Sequence, residues 1–291
     1  MSDAKPQRIT RKIEKEVEIA APIEAVWKAL TDGEELSRWF PLKAKVQPGA
    51  NGNVFLSWGP GLEVTEPITV WEPNWHLQMQ HPGRNAPDDQ RNSAPAEPTN
   101  LLVQDWYLEQ RGGKTLLRLV HSGFVTRSAW EDEWYDSHNY GWTFMLANLR
   151  HYLEQHRGTP RQVVWQRTEV KMEREAAYRR FIACGGFFQD HTAENWSAGQ
   201  RYFTYTTTGE AISGVVEFVQ PPRGFCVSVD ELHAALLWLS IEGSGAKHEV
   251  RLWLSAYGVP QGRLDSLGNR WSGFLKEFAE ADGNAEPQRG D

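Results

Sequence analysis

Two amphipathic helices of one kind, at the middle of the chain and near its end, limit what this sequence can fold into. Trp142, Met145, Leu146, Leu149 and Leu153 recur at helical spacing within 140–156, and Leu264, Leu267, Trp271, Phe274, Leu275 and Phe278 repeat the stripe within 263–280. Each stripe is too broad to leave in water and needs an apolar surface of matching width. What precedes each helix is again the same in kind. In the first half a strand over 13–19 sets Ile13, Val17 and Ile19 against Glu14, Glu16 and Glu18, with Lys15 the one residue out of phase. A helix follows, with Pro22 suited to its first turn and Ile23, Val26, Trp27 and Leu30 on one face. A second short helix over 34–40 stops at Pro41. Short strands over 53–58, 64–71, 75–80, 101–110 and 115–122 are then separated by turn signals such as Asn51-Gly52 and Arg111-Gly112-Gly113, the pattern of an antiparallel meander. The second half repeats this order: strand 163–170, helix 174–183, strands 201–208, 211–220, 225–230, 235–242 and 247–256, and the final helix. Gly158 and Pro160 close the first long helix and place a boundary between them.

The expected architecture is therefore α+β, two tandem domains over 1–158 and 161–281, each a curved antiparallel sheet wrapped around a long C-terminal helix, followed by a frayed tail over 282–291. Four prolines and almost nothing apolar mark 82–99 as an excursion from the first sheet. A length of 291 residues suits two domains. A net charge of -7, without a basic run, gives nucleic-acid binding no electrostatic footing. The absence of 18 consecutive apolar residues, and of an apolar stretch at the N-terminus, argues against membrane insertion or a signal peptide. Cys184 and Cys226 show no C-x-x-C or metal spacing and read as reduced thiols of a cytoplasmic protein.

Four segments of the first half carry a family resemblance: VEIAAPIEAVWKALTDGEELSRWF (17–40), the strand start containing Gly52, TLLRLVHSGF (115–124) and GWTFMLANLRHYLE (141–154). Together they resemble the activator-of-heat-shock-protein-90-ATPase homologue family, within the START-like (SRPBCC) superfamily of helix-grip folds. The resemblance spans about residues 13–156, and the second domain shares only the order of elements. It implies a cavity between sheet and long helix that, in many members of the superfamily, takes a lipid, sterol, hormone or polyketide. A fold of this kind implies a pocket far more than a reaction.

Within such a cavity, alternation along 115–121 puts Leu117, Leu119 and His121 on the concave side and Arg118 outside. On the neighbouring strand, Gln104 and Asp105 interrupt an apolar run, so one of them faces inward, and Asp105 paired with His121 is the expected buried contact. The remaining lining is expected from Trp39 and Phe40, from Trp58 and Trp71 on the sheet, and from Trp142, Met145 and Leu149 on the helix. Taken singly, each of these reads as plain core before it reads as a ligand contact, since core and cavity wall are one continuous surface here, and they stand as a set. His81, Asp88, Asp89, His138 and His151 form no metal-ligand motif, and no nucleotide loop or nucleophile elbow appears, so neither metal nor cofactor is expected. The expected function is non-catalytic binding of a small hydrophobic or amphipathic ligand. Two alternatives stand beside it: a cyclase- or hydratase-type enzyme using His121 or Asp105, and an interaction role as chaperone regulator or stress factor, with a protein or a second copy of the chain as partner.

Overall fold

Alternation of apolar and charged side chains makes β1 (Thr10–Ile19) a strand with one face turned inward, and the apolar face of α1 (Ile23–Thr31) packs directly after it. Asp32 then caps α2 (Gly33–Ser37), accepting from the backbone N–H groups of Glu34 and Glu35 at 3.0 Å each. Six further strands complete the first sheet: β2 (Lys43–Gln47), β3 (Asn53–Ser57), β4 (Glu63–Glu72), β5 (His76–Pro82), β6 (Leu101–Arg111) and β7 (Lys114–Val125). They hydrogen-bond antiparallel in the order β1-β7-β6-β5-β4-β3-β2, and the long α3 (Ala129–Gln155) covers the concave face. These features are seen in a computed structural model that describes residues 10–83, 100–125, 128–244 and 247–280. The expected excursion over 82–99, apart from Pro82 and Gly83, and the expected tail over 282–291 lie outside the described residues.

The second half builds the same plan with one strand fewer. β8 (Arg161–Val170) and α4 (Arg174–Ile182) precede β9 (Arg201–Tyr205), β10 (Ala211–Gln220), β11 (Gly224–Val229), β12 (Ala235–Ser244) and β13 (Lys247–Tyr257), in sheet order β8-β13-β12-β11-β10-β9, and α5 (Gln261–Glu280) closes the unit. The chain divides into two compact units, Met1–Gly158 and Thr159–Asp291. Both sheets carry an irregularity at the same place: the register slips between Ile68 and Val70 on β4 against β5, and between Val216 and Phe218 on β10 against β11. A shared bulge fixes a residue-by-residue correspondence between the two units.

Three elements differ from expectation. The first long helix starts at Ala129, eleven positions before the anticipated start, because Ser128 caps it: Ser128 Oγ accepts from Glu131 N at 3.3 Å and meets the Glu131 carboxylate at 3.1 Å. The acidic run Glu131-Asp132-Glu133 hid this, although Ser128-x-x-Glu131 is a capping box. β2 was not anticipated at all. Lys15 is in phase after all: it sits half-buried under α3 and donates to Thr143 Oγ1 at 2.9 Å, burial holding its ammonium below the usual lysine range.

Each unit carries its own sheet, helix and core, so residues 1–158 and 159–291 expressed separately are expected to fold, each giving a cooperative melt by circular dichroism. Two fragments without cooperative transitions would mean that neither core stands alone.

Candidate functional site

The concave face of the first sheet can be read row by row from its register. Ile68, Met79, Gln104, His121 and Ile13 lie opposite one another across β4, β5, β6, β7 and β1. Glu66 on β4 and His81 on β5 flank this row on one side, and Trp106 on β6 flanks it on the other, each two residues from its row member. Side chains two apart on a strand share a face, so Glu66, His81, Gln104, Trp106 and His121 all look toward α3.

His121 is 1% exposed. Its Nδ1 accepts from the Trp142 Nε1–H at 3.0 Å, which leaves its own proton on Nε2, where His81 Nε2 lies at 3.3 Å. His81 accepts there, and its Nδ1 donates to the Pro82 carbonyl at 3.2 Å. The indole thus sets both tautomers, and one row of donors runs from helix to strand. Burial, helped by the nearby His138 and His81 rings, holds His121 well below its usual pKa and keeps it neutral.

Glu66 is the less expected member. Only 3% of it is exposed, and both its carboxylate oxygens lie 3.2 Å from Gln104 Nε2. Burial pushes its pKa up to about 8, with the Gln104 bond a smaller opposing influence. At neutral pH this carboxyl is an acid with a proton to donate. His81 Nε2 lies 4.0 Å from Glu66 Oε1. Gln104 Oε1 and the Trp106 indole N–H are buried without hydrogen-bond partners. Unpaired indoles also occur in the second unit, at Trp196 and Trp271, so the amide oxygen is the distinguishing feature.

Next to this polar group the aromatic residues named from the sequence pack on one another. Trp39, fully buried, donates its indole N–H to the Ala29 carbonyl at 2.8 Å and stacks on Phe40 at 5.2 Å. Phe40 stacks in turn on Trp142 at 5.3 Å and meets Trp58 edge-on at 5.3 Å, while Trp106 closes edge-on against Trp142 at 5.3 Å. The rings of Phe40 and Trp106 thus pack against Trp142, and Phe40 and Trp58 stay half-exposed. Leu149 is fully buried and Met145 half-buried on α3. Trp71 packs edge-on against Trp27 of α1 at 5.3 Å, away from the polar group's hydrogen bonds.

Asp105 is not where it was expected. It lies on the convex face, bonded to His76 Nε2 at 2.8 Å and Gln78 Nε2 at 2.7 Å, and cannot pair with His121. Strand alternation requires this: Gln104 is directly opposite His121, so its neighbour must point the other way. Glu66 and His81 were missed. The signal for Glu66 was present, since it falls in phase with Val64 and Ile68 on a strand whose other face carries Glu63, Thr65 and Thr69.

Residues 20–154 match the family described as Activator of Hsp90 ATPase homolog 1-like protein. The first unit belongs to this family. The match lies within the first unit and does not extend into the second. A comparison with curated proteins finds no match. Among solved structures, a protein from Mesorhizobium loti is 23% identical and covers 49% of this chain and 96% of its own, with a TM-score of 0.40. The Aha1 dimer from Colwellia psychrerythraea is 21% identical, covering 51% and 99%, with a TM-score of 0.39. The di-domain ARO/CYC BexL from the BE-7585A biosynthetic pathway is 13% identical and covers 95% of this chain and 100% of its own, with a TM-score of 0.39. The strand order and register of the two sheets define the fold.

The second unit provides an internal control. Aligned on the shared bulge, Gln104 corresponds to Leu237, His121 to Leu254, His81 to Val229 and Trp106 to Leu239. Glu66 corresponds to Gly214, where a Cβ would stand 2.1 Å from the Ser228 carbonyl oxygen, so no side chain fits without backbone movement. All four larger counterparts are in the apolar core of the second unit. That unit also has a surface cleft of about 660 Å³ floored by Phe274 and Phe278. Its polar groups are largely bonded to one another, Arg270 to Glu210, Thr208 to Glu210 and Thr207 to the Gly186 carbonyl. Among the described residues no helix is long and apolar enough to cross a membrane, and no cluster of ligating side chains could hold a metal ion.

Proposed function

We propose that the first unit is a non-catalytic binding module for one small apolar or amphipathic molecule, held between the rim of Phe40 and Trp58 and the polar group of Glu66, Gln104 and His121. The observation that carries this reading is the contrast between the two copies. One builds the fold with Leu237, Leu254, Val229 and Gly214; the other places a carboxyl, an amide and two imidazoles at the same positions and leaves an amide oxygen unpaired. Burying polar groups that the fold does not need costs stability, about 1–3 kcal/mol for each unpaired group, and a ligand that completes their hydrogen bonds accounts for keeping them. Binding is favoured over turnover because both ring nitrogens of His121 are engaged, so the imidazole has no free lone pair for a substrate proton. The second unit, apolar at the corresponding positions, then has a structural role.

Nile red titrated into the full chain is expected to show one saturable site that Phe40→Ala weakens about tenfold or more, with Phe274→Ala leaving it unchanged. The reverse pattern would put the site in the cleft of the second unit, and absence of saturable binding would remove the ligand reading.

A further inference from the structure

From the polar group we infer that the ligand of the first unit is electrically neutral and carries one hydroxyl or carbonyl oxygen, which is seated between Glu66, Gln104 and Trp106. This rests on the binding reading above and specifies its chemistry.

Gln104 gives its amide N–H to Glu66, so its Oε1 still needs a donor, and the Trp106 indole still needs an acceptor. A protonated Glu66 adds a second donor on the same face. An alcohol supplies both halves of what is missing, because its O–H donates to Oε1 while its lone pairs accept from the indole on one side of Gln104 or from the carboxyl on the other. A ketone meets the donors alone, and reversing the Gln104 amide then lets Oε1 take the Glu66 proton.

Of the cations that β1 turns toward α3, Arg11 pairs with Asp132, whereas Lys15 bonds the uncharged Thr143 hydroxyl and stands in the row of Trp106, two strands away. The groups facing Glu66 are Gln104 from β6, His81 from β5 and, beyond it, His121 from β7 with Trp142 and His138 from α3. His121 is neutral, and its Nε2 proton already occupies the His81 nitrogen that faces it. A carboxylate ligand on the Glu66 side of Gln104 would lie beside a buried carboxyl, with no cation among the groups that face Glu66, a cost that an alcohol of the same shape avoids. The seat should open as well as select: ionising Glu66 removes a donor and places a negative charge against the ligand oxygen.

The test compares two ligands of one shape, 2-naphthalenemethanol and 2-naphthoate, by calorimetric titration of the full chain, with Nile red as a reference for apolar binding. At about pH 6.5 the alcohol is expected to bind about tenfold or more tightly than the carboxylate. Its affinity is expected to fall about tenfold between about pH 7 and pH 9.5, with Nile red binding to the wild-type chain as the pH control, and in Glu66→Gln that dependence should flatten. Equal or tighter binding of 2-naphthoate, or a pH dependence unchanged in Glu66→Gln, would overturn the inference while Nile red binding upheld the module. Loss of all three ligands in the wild-type chain would overturn both.

Discussion

Glu66→Gln is expected to stabilise the first unit by about 3 kcal/mol at pH 7 and to remove most of a pH dependence that the wild-type chain shows. The sign follows from the direction of the shift. Burial raises the Glu66 pKa from an ordinary 4.5 to about 8. The native state therefore holds a proton that the unfolded chain releases from pH 4.5 upward. The stability from this group is fully present below about 4.5 and is lost as pH rises through 8, at about 1.4 kcal/mol per pH unit. Glutamine keeps the shape and a hydrogen bond to Gln104 but never ionises, so the gap between variant and wild type should widen with pH across that window and then level off. Urea melts at about pH 5, 6.5 and 8 read the gap directly. A gap independent of pH would mean that Glu66 is ionised in the native state and that Gln104 faces a carboxylate. A side chain that lowers stability in its neutral-pH form and is nevertheless present is best explained by a use outside folding.

Trp142→Ala is expected to cost about 3–5 kcal/mol, with a large drop in denaturant midpoint. The ring is 6% exposed, stacks on Phe40, stands edge-on to Trp106, and its N–H fixes the His121 tautomer. Its removal opens a cavity between two aromatic neighbours and leaves a buried Nδ1 without a donor. Trp142→Phe separates the two contributions. It keeps most of the stack and loses the hydrogen bond, so its cost should be on the order of 1–2 kcal/mol. Equal costs for Ala and Phe would place nearly all of the effect in the hydrogen bond. No cost for either would mean that the Phe40–Trp142–Trp106 packing does not form in solution.

The two-unit organisation, the meanders and both long helices were legible because their signals are local and periodic. Apolar residues recurring every three to four positions demand a covered helix, as Leu264 to Phe278 does for α5. Strand alternation was enough to place His121 inward and Arg118 outward, where it pairs with Glu14. Alternation also showed that only one of Gln104 and Asp105 could face the helix, but not which one. That choice belongs to register: β6 meets β7 with Gln104 opposite His121, and moving the pairing by one residue would have exchanged the two. Bulges add to this, because the slips near Lys12 and after Ile68 shift the phase within a strand, and no local pattern in the sequence marks them.

For the polar group itself, the sequence determined the residues and the direction each must point from its own strand. Tertiary structure alone decided which of them meet. Glu66 and Gln104 are 38 positions apart and His81 and His121 are 40 apart, and only the stacking of β4, β5, β6 and β7 brings them within hydrogen-bonding distance. The protonated state of Glu66 was likewise decided in three dimensions. A carboxyl takes its pKa from the water it loses and the charges it meets, and both are set by how completely the sheet and α3 close over it.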